Sequence, residues 1–164
     1  MHKRHYNRVS AAAVLLTVLT GASPARAADD FRTIVNKLSG KCLTSSDTPD
    51  YRVTQATCSP GDRRQWWDFD GDHEDQRFVN ASTGRCLTVF GASDGQPVHA
   101  VACGLAGAFN HWTWVWTEDD YAYELQPLDA RGSCLDLEPG DVIALRTCKD
   151  PGGADQHWIF ESQP

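Results

Sequence analysis

The feature that most constrains this chain is a pattern written three times. Each copy opens on Gly-x-Cys-Leu: Gly40-Lys41-Cys42-Leu43, Gly84-Arg85-Cys86-Leu87 and Gly132-Ser133-Cys134-Leu135. Each closes on an amide, one intervening residue and a tryptophan: Gln65-Trp66-Trp67, Asn110-His111-Trp112 and Gln156-His157-Trp158. The first cysteines are spaced by 44 and 48 residues, the second cysteines (Cys58, Cys103, Cys148) by 45 and 45, and the closing tryptophans by 45 and 46. Three landmark series on one period mean that a single structural unit is repeated.

Within each unit short apolar runs are broken by turn sequences such as Ser82-Thr83-Gly84 and Glu138-Pro139-Gly140-Asp141. The runs Thr33–Val35, Arg77–Val79, Val98–Val101, Trp112–Trp116 and Ile143–Leu145 read as strands, and no window carries a helical period of useful length. Three such units are too few for a propeller, but three four-stranded units closing around a pseudo-threefold axis make an all-β fold, the β-trefoil. Leu43, Leu87, Leu135, Val53, Val98, Ile143, Trp67, Trp112 and Trp158 recur at equivalent places and are the expected core, one matching layer from each unit. Gln65, Asn110 and Gln156 have an expected structural share as well, because an amide beside a buried tryptophan can satisfy the backbone groups of a turn.

Six cysteines permit 15 pairings. The repeat narrows them to one pair per unit: Cys42–Cys58, Cys86–Cys103 and Cys134–Cys148. Closing loops of this length contributes about 3 kcal/mol each in the chain-entropy model. Disulfides agree with the N-terminal segment. Lys3, Arg4 and Arg8 precede an apolar run, Ala11–Gly21, and Ala25-Arg26-Ala27 is a small-x-small cleavage site. Residues 1–27 are therefore expected to be a secretory signal peptide and 28–164 one domain, with repeats at about 31–75, 76–119 and 120–164. The apolar run is too short to span a bilayer, so a secreted protein, in the medium or at a cell envelope, is expected without membrane insertion. Removing the leader takes away four basic residues and no acid, moving the net charge from −7 to −11. Such a surface argues against nucleic acid as a partner, since phosphate binding relies on Lys and Arg.

The Cys-Leu opening, the second cysteine nine or ten residues before a tryptophan, and the Gln-x-Trp closing resemble the ricin B-chain lectin domain and family 13 carbohydrate-binding modules, from about Phe31 to Phe160. The resemblance implies carbohydrate binding by an acid two residues after the first cysteine, a stacking ring two residues before the second, and an Asn before the Gln. A pyranose offers hydroxyls and one apolar C–H face, and these groups answer both. In the third repeat the acid is Asp136 and the amide Gln156, with Asp155 in place of Asn and Arg146 in place of the ring. Arg146 would then bond sugar hydroxyls or pair with Asp136 or Asp155. The first repeat has Thr44, Ala56 and Arg64 at these places, and the second has Thr88, Val101 and Phe109 with His99 nearby. Both lack the acid and the ring and are expected to be silent. Asp136 also reads as a turn-forming aspartate. The resulting expectation is a monomeric, non-catalytic glycan-binding protein with no cofactor or metal, using one third-repeat site. A free-standing version of the modules attached to glycoside hydrolases is a related reading.

Asp68 to Asp75 begins like an EF-hand loop, but His73 replaces its glycine and Val79 its bidentate glutamate, so a solvated hairpin tip is expected. Trp112, Trp114 and Trp116 alternate onto one strand face and read as core, while Trp116, Tyr121 and Tyr123, if exposed, would offer a patch for a glycan or a protein. That patch motivates the competing function, a protein-interaction trefoil that has lost sugar binding. His-Glu-x-x-His and Gly-x-Ser-x-Gly are both absent, and Asn80-Ala81-Ser82 matches a glycosylation acceptor.

Overall fold

The structure is a computed structural model that describes residues 31–118, 121–149 and 153–162, so the expected leader lies outside the described residues. Among these residues the chain forms strands β1 (Phe31–Asn36), β2 (Cys42–Thr44), β3 (Thr54–Ala56), β4 (Trp67–Asp72), β5 (Asp75–Asn80), β6 (Cys86–Thr88), β7 (Gln96–Pro97), β8 (His99–Val101), β9 (Trp112–Thr117), β10 (Ala122–Pro127), β11 (Ser133–Glu138), β12 (Val142–Thr147) and β13 (Trp158–Ser162). Helix is confined to the 3-10 turns Arg63–Gln65 and Leu128–Ala130.

Six strands close into a ring of antiparallel pairs, β1–β13–β10–β9–β5–β4 and back to β1. Closure leaves the barrel no free edge. The remaining pairs β2–β3, β6–β8 and β11–β12 lie outside the ring, one in each repeat, and cap one end. Each repeat is thus a barrel strand, a capping pair and a second barrel strand, which is the trefoil expected from the period.

All nine expected core residues are buried, together with Ile34, Phe78 and Leu125. The closing tryptophans do the same work three times. Each indole Nε1 donates to the carbonyl of the opening leucine, Trp67 to Leu43 at 3.0 Å, Trp112 to Leu87 at 2.9 Å and Trp158 to Leu135 at 3.0 Å. A buried Trp needs such a partner, and the repeat supplies it by pairing the two ends of its own motif. The three disulfides form as the spacing predicts.

One expectation and one motif match need correction. Alternation puts Trp112, Trp114 and Trp116 on one face, but only Trp112 is core, because β9 runs out of the barrel: Trp114 is half-buried and Trp116 is 47% exposed. Asn80 is no acceptor for a glycan. It is buried, with Nδ2 donating to the carbonyls of Arg64 and Trp66 and Oδ1 accepting from Ser82 and Thr83. The acidic segment is the expected hairpin tip, where Asp72 Oδ1 accepts from the backbone of Glu74 and Asp75.

Candidate functional site in the third repeat

The cap hairpin β11–β12 carries Asp136 opposite Ala144, and Cys134 opposite Arg146, so Asp136, Glu138 and Arg146 share one face. The segment before β13 brings Asp155 and Gln156 over that face. It is held there by bonds to its main chain, with Leu137 N donating to the Asp155 carbonyl at 3.0 Å and the Asn36 side-chain Nδ2 to the same carbonyl at 2.9 Å. Around these groups lies a cleft of 360 Å³, within the range of small-molecule sites, whose walls also include Asp94 from the second repeat, Lys149 and Pro139.

The Gln156 side chain is fully buried and makes three bonds among the described residues. Its Oε1 accepts from Lys149 N at 2.9 Å, while Nε2 donates to the Thr147 carbonyl at 3.1 Å and to Asp136 Oδ2 at 2.7 Å. The amide therefore ties the loop after the second cysteine to the acid after the first. Asp136 is 4% exposed, and Lys149 Nζ lies 3.3 Å from the same Oδ2. Among the described residues no hydrogen bond falls on Asp136 Oδ1. Lys149 also pairs with Asp155, and this bond above all raises the lysine's pKa and keeps it charged.

The expected pairing of Arg146 with Asp136 or Asp155 does not form. Arg146 Nε donates to Glu138, a bond that is the main cause of the lowered pKa of that carboxyl. Lys149 takes both aspartates because it follows Cys148 directly and its backbone is already fixed by Gln156. Sequence reasoning thus found Asp136, Arg146, Asp155 and Gln156, all four of which meet here or line the cleft's wall, and missed Lys149, Glu138 and Asp94. The alternation of Asp136 with Glu138 was a usable signal; Asp94 comes from another repeat and left none. It accepts from Thr147 N at 2.6 Å and Thr147 Oγ1 at 3.0 Å, stitching the second repeat to the third. The cleft holds four carboxylates against two cations and no aromatic ring.

In the first repeat Gln65 makes the same clasp in neutral form, accepting from Ser59 N at 2.8 Å and donating to the Thr57 carbonyl at 3.0 Å and Thr44 Oγ1 at 3.3 Å. In the second, Asn110 is one methylene shorter and its buried Nδ2 has no partner among the described residues.

Comparison with known proteins bears on the fold. The chain is similar to a designed 3-fold symmetric protein, ThreeFoil (24% identity, 82% of this chain and 99% of that one, TM-score 0.70). It is also similar to the ricin B-like lectin of Macrolepiota procera, solved in complex with lactose (20% identity, 84% and 99%, TM-score 0.69). An exo-β-1,3-galactanase from Clostridium thermocellum matches at 26% identity and TM-score 0.69 over 81% of this chain, which spans only 30% of the enzyme. No curated protein matches the chain by sequence. The model of the ricin-type β-trefoil lectin domain matches residues 26–112. With the three-unit barrel, its tryptophan clasps and its disulfides already in view, the chain belongs to the ricin-type β-trefoil lectin domain family.

Proposed function

We propose that this is a secreted, monomeric, non-catalytic saccharide-binding protein whose working site is the third-repeat cleft. The observation that carries the reading is the Asp136–Gln156 pair. The buried carboxylate is oriented by the amide on Oδ2, and Oδ1 remains to accept from a sugar hydroxyl. A charged acceptor in a shielded position makes a strong, directional bond to a hydroxyl. Lys149 and Arg146 supply donors around it, and Asp155 and Glu138 further acceptors. The excess of acids favours a neutral saccharide, or one bearing an amino group, over uronic or sialic acids. Export is supported by the basic-apolar-cleavage leader and by the three disulfides, which persist in oxidising compartments.

The test is a glycan array followed by titration, with the disulfides intact. The unsubstituted protein should bind a neutral or amino-bearing class, with a dissociation constant of about 1 mM for one shallow ringless site. Asp136→Asn, which keeps the shape and removes the charge, should weaken binding at least about tenfold. Unchanged affinity in Asp136→Asn, in a protein with an unchanged unfolding midpoint, would sink the third-repeat assignment.

A further inference from the structure

The end of the barrel opposite the cap carries a second cavity, of 450 Å³, in which the chemistry is reversed. The register of the three barrel hairpins aligns the repeats there. Phe69, Trp114 and Phe160 occupy one equivalent position, paired with Phe78, Leu125 and Ile34. One step further out the pairs are Gly71 with Gln76, Trp116 with Tyr123 and Ser162 with Arg32. The first set makes an aromatic floor on the pseudo-threefold axis, its ring centroids 4.7 to 5.6 Å apart. Tyr123 stacks beside it, 4.7 Å from Phe160 with the rings 11° apart. The four rings rest on the core and are only half-buried, so the floor is fixed and still meets water.

The wall is polar. Asp72 is oriented by the turn that holds its Oδ1, Gln76 is 2% exposed and donates to the Arg77 carbonyl, and the Arg32 guanidinium lies 5.8 Å from the Phe69 ring centre. His73 completes that side. Gly71 stands where the second hairpin has Trp116; its φ is +127°, and a Cβ there would come 2.2 Å from the Asp75 carbonyl oxygen. Only glycine makes this turn, and its missing side chain leaves the mouth open on that side. On the other side Trp116 and Tyr121 stand exposed, and both ring contacts of Trp116 are edge-on, so among the described residues no ring lies parallel to its face.

We propose that this axial basin is a second saccharide site, taking a neutral hexopyranose with its C–H face on the rings and its hydroxyls on Arg32, Asp72 and Gln76. None of the lining residues is aliphatic, and the polar groups among them include both donors and acceptors. Rings for stacking with planar polar groups at the edge are what a pyranose needs. The basin shares no lining residue with the third-repeat cleft, so the two stand or fall separately.

One ¹⁵N spectrum reads both at once, the basin through the indoles of the six tryptophans and the cleft through backbone amides. The ¹⁵N-labelled protein, with disulfides intact, is titrated with lactose, cellobiose and di-N-acetylchitobiose to about 20 mM, enough to fill a millimolar site. The Trp114 and Trp116 indole signals should move saturably with at least one disaccharide while Trp67, Trp112 and Trp158 stay still. Trp116→Ala and Arg32→Ala, both at exposed positions, should each weaken that response about five- to tenfold with the backbone spectrum retained. Indoles unmoved by all three sugars would overturn the proposal. So would Trp114 and Trp116 signals that shift with protein concentration alone, which would make the basin a contact between two copies. The backbone amides of Asp94 and Thr147 report on the third-repeat cleft, so failure there is seen independently.

Discussion

Repeats two and three share a backbone plan and differ in what lies under the closing amide. In the third, Gln156 reaches the loop after the second cysteine and ties it to Asp136, whose charge Lys149 partly balances. In the second, Asn110 stops one methylene short, its Nδ2 is buried without a partner among the described residues, and the residue at the acid's position, Thr88, instead donates to the carbonyl of Cys86 at 2.9 Å. The first repeat is intermediate, with the full clasp but Thr44 in place of the acid. The clasp is therefore a scaffold device that one repeat can lose, and the charge is an addition confined to the third. That separation of roles divides what the fold requires from what the proposed third-repeat site adds.

The comparison breaks most visibly if the clasp is removed. Gln156→Ala should cost about 3 kcal/mol and Gln65→Ala about 2 kcal/mol, because the first strips a charged acceptor of its donor and the second only neutral groups. Urea unfolding checks this, as a larger midpoint shift for Gln156→Ala at unchanged slope. Equal shifts would mean that the carboxylate adds nothing to the clasp. Transplanting the charge is the next test. Thr44→Asp places a buried carboxylate beside Gln65 without a lysine and should cost about 2 kcal/mol; adding Ser59→Lys, at the position equivalent to Lys149, should recover about half. Repairing the second repeat is a smaller effect with the opposite sign. Asn110→Gln should stabilise by about 1 kcal/mol if the longer amide pairs its orphaned donor. A destabilised Asn110→Gln would show that the second repeat has repacked around the shorter side chain.

How much of this could be read from the sequence depended on whether a feature repeats. Trp67, Trp112 and Trp158, the opening leucines and the cysteine pairs each occur three times, and their burial and bonding follow directly. Asp136 and Gln156 were legible because they stand at fixed offsets from those landmarks. What stayed hidden was contact between units. Asp94 reaches the third cleft from the loop before β7, and Lys149 rather than Arg146 takes the aspartates because side-chain reach, not offset, decides an ion pair. The aromatic run Trp112–Trp116 misled for a related reason: period-two alternation fixes the face of a strand but not where the strand leaves the barrel.

The smallest expected effect tests whether the second repeat's cap is neutral by design of its surroundings. His99 on β8 pairs in register with Thr88, the place where the third repeat sets Ala144 against Asp136. Burial first, and then the positive charge of Arg52, lowers its pKa below the ordinary histidine value, and its Nδ1 is buried without a partner among the described residues. The unfolded chain, with an ordinary histidine near 6.5, therefore takes up this proton more readily than the folded one. Between the folded and unfolded pKa values the unfolded state binds more protons, so stability rises with pH there. The contribution of a neutral His99 is complete above the unfolded value and is lost as pH falls through the folded one. Unfolding midpoints measured from pH 7.5 down to 5 should fall more steeply for the unsubstituted protein than for His99→Gln, which carries no proton to bind. Parallel curves would mean that the folded repeat accommodates a charged His99 as readily as water does, and that the cap of the second repeat is as tolerant of charge as that of the third.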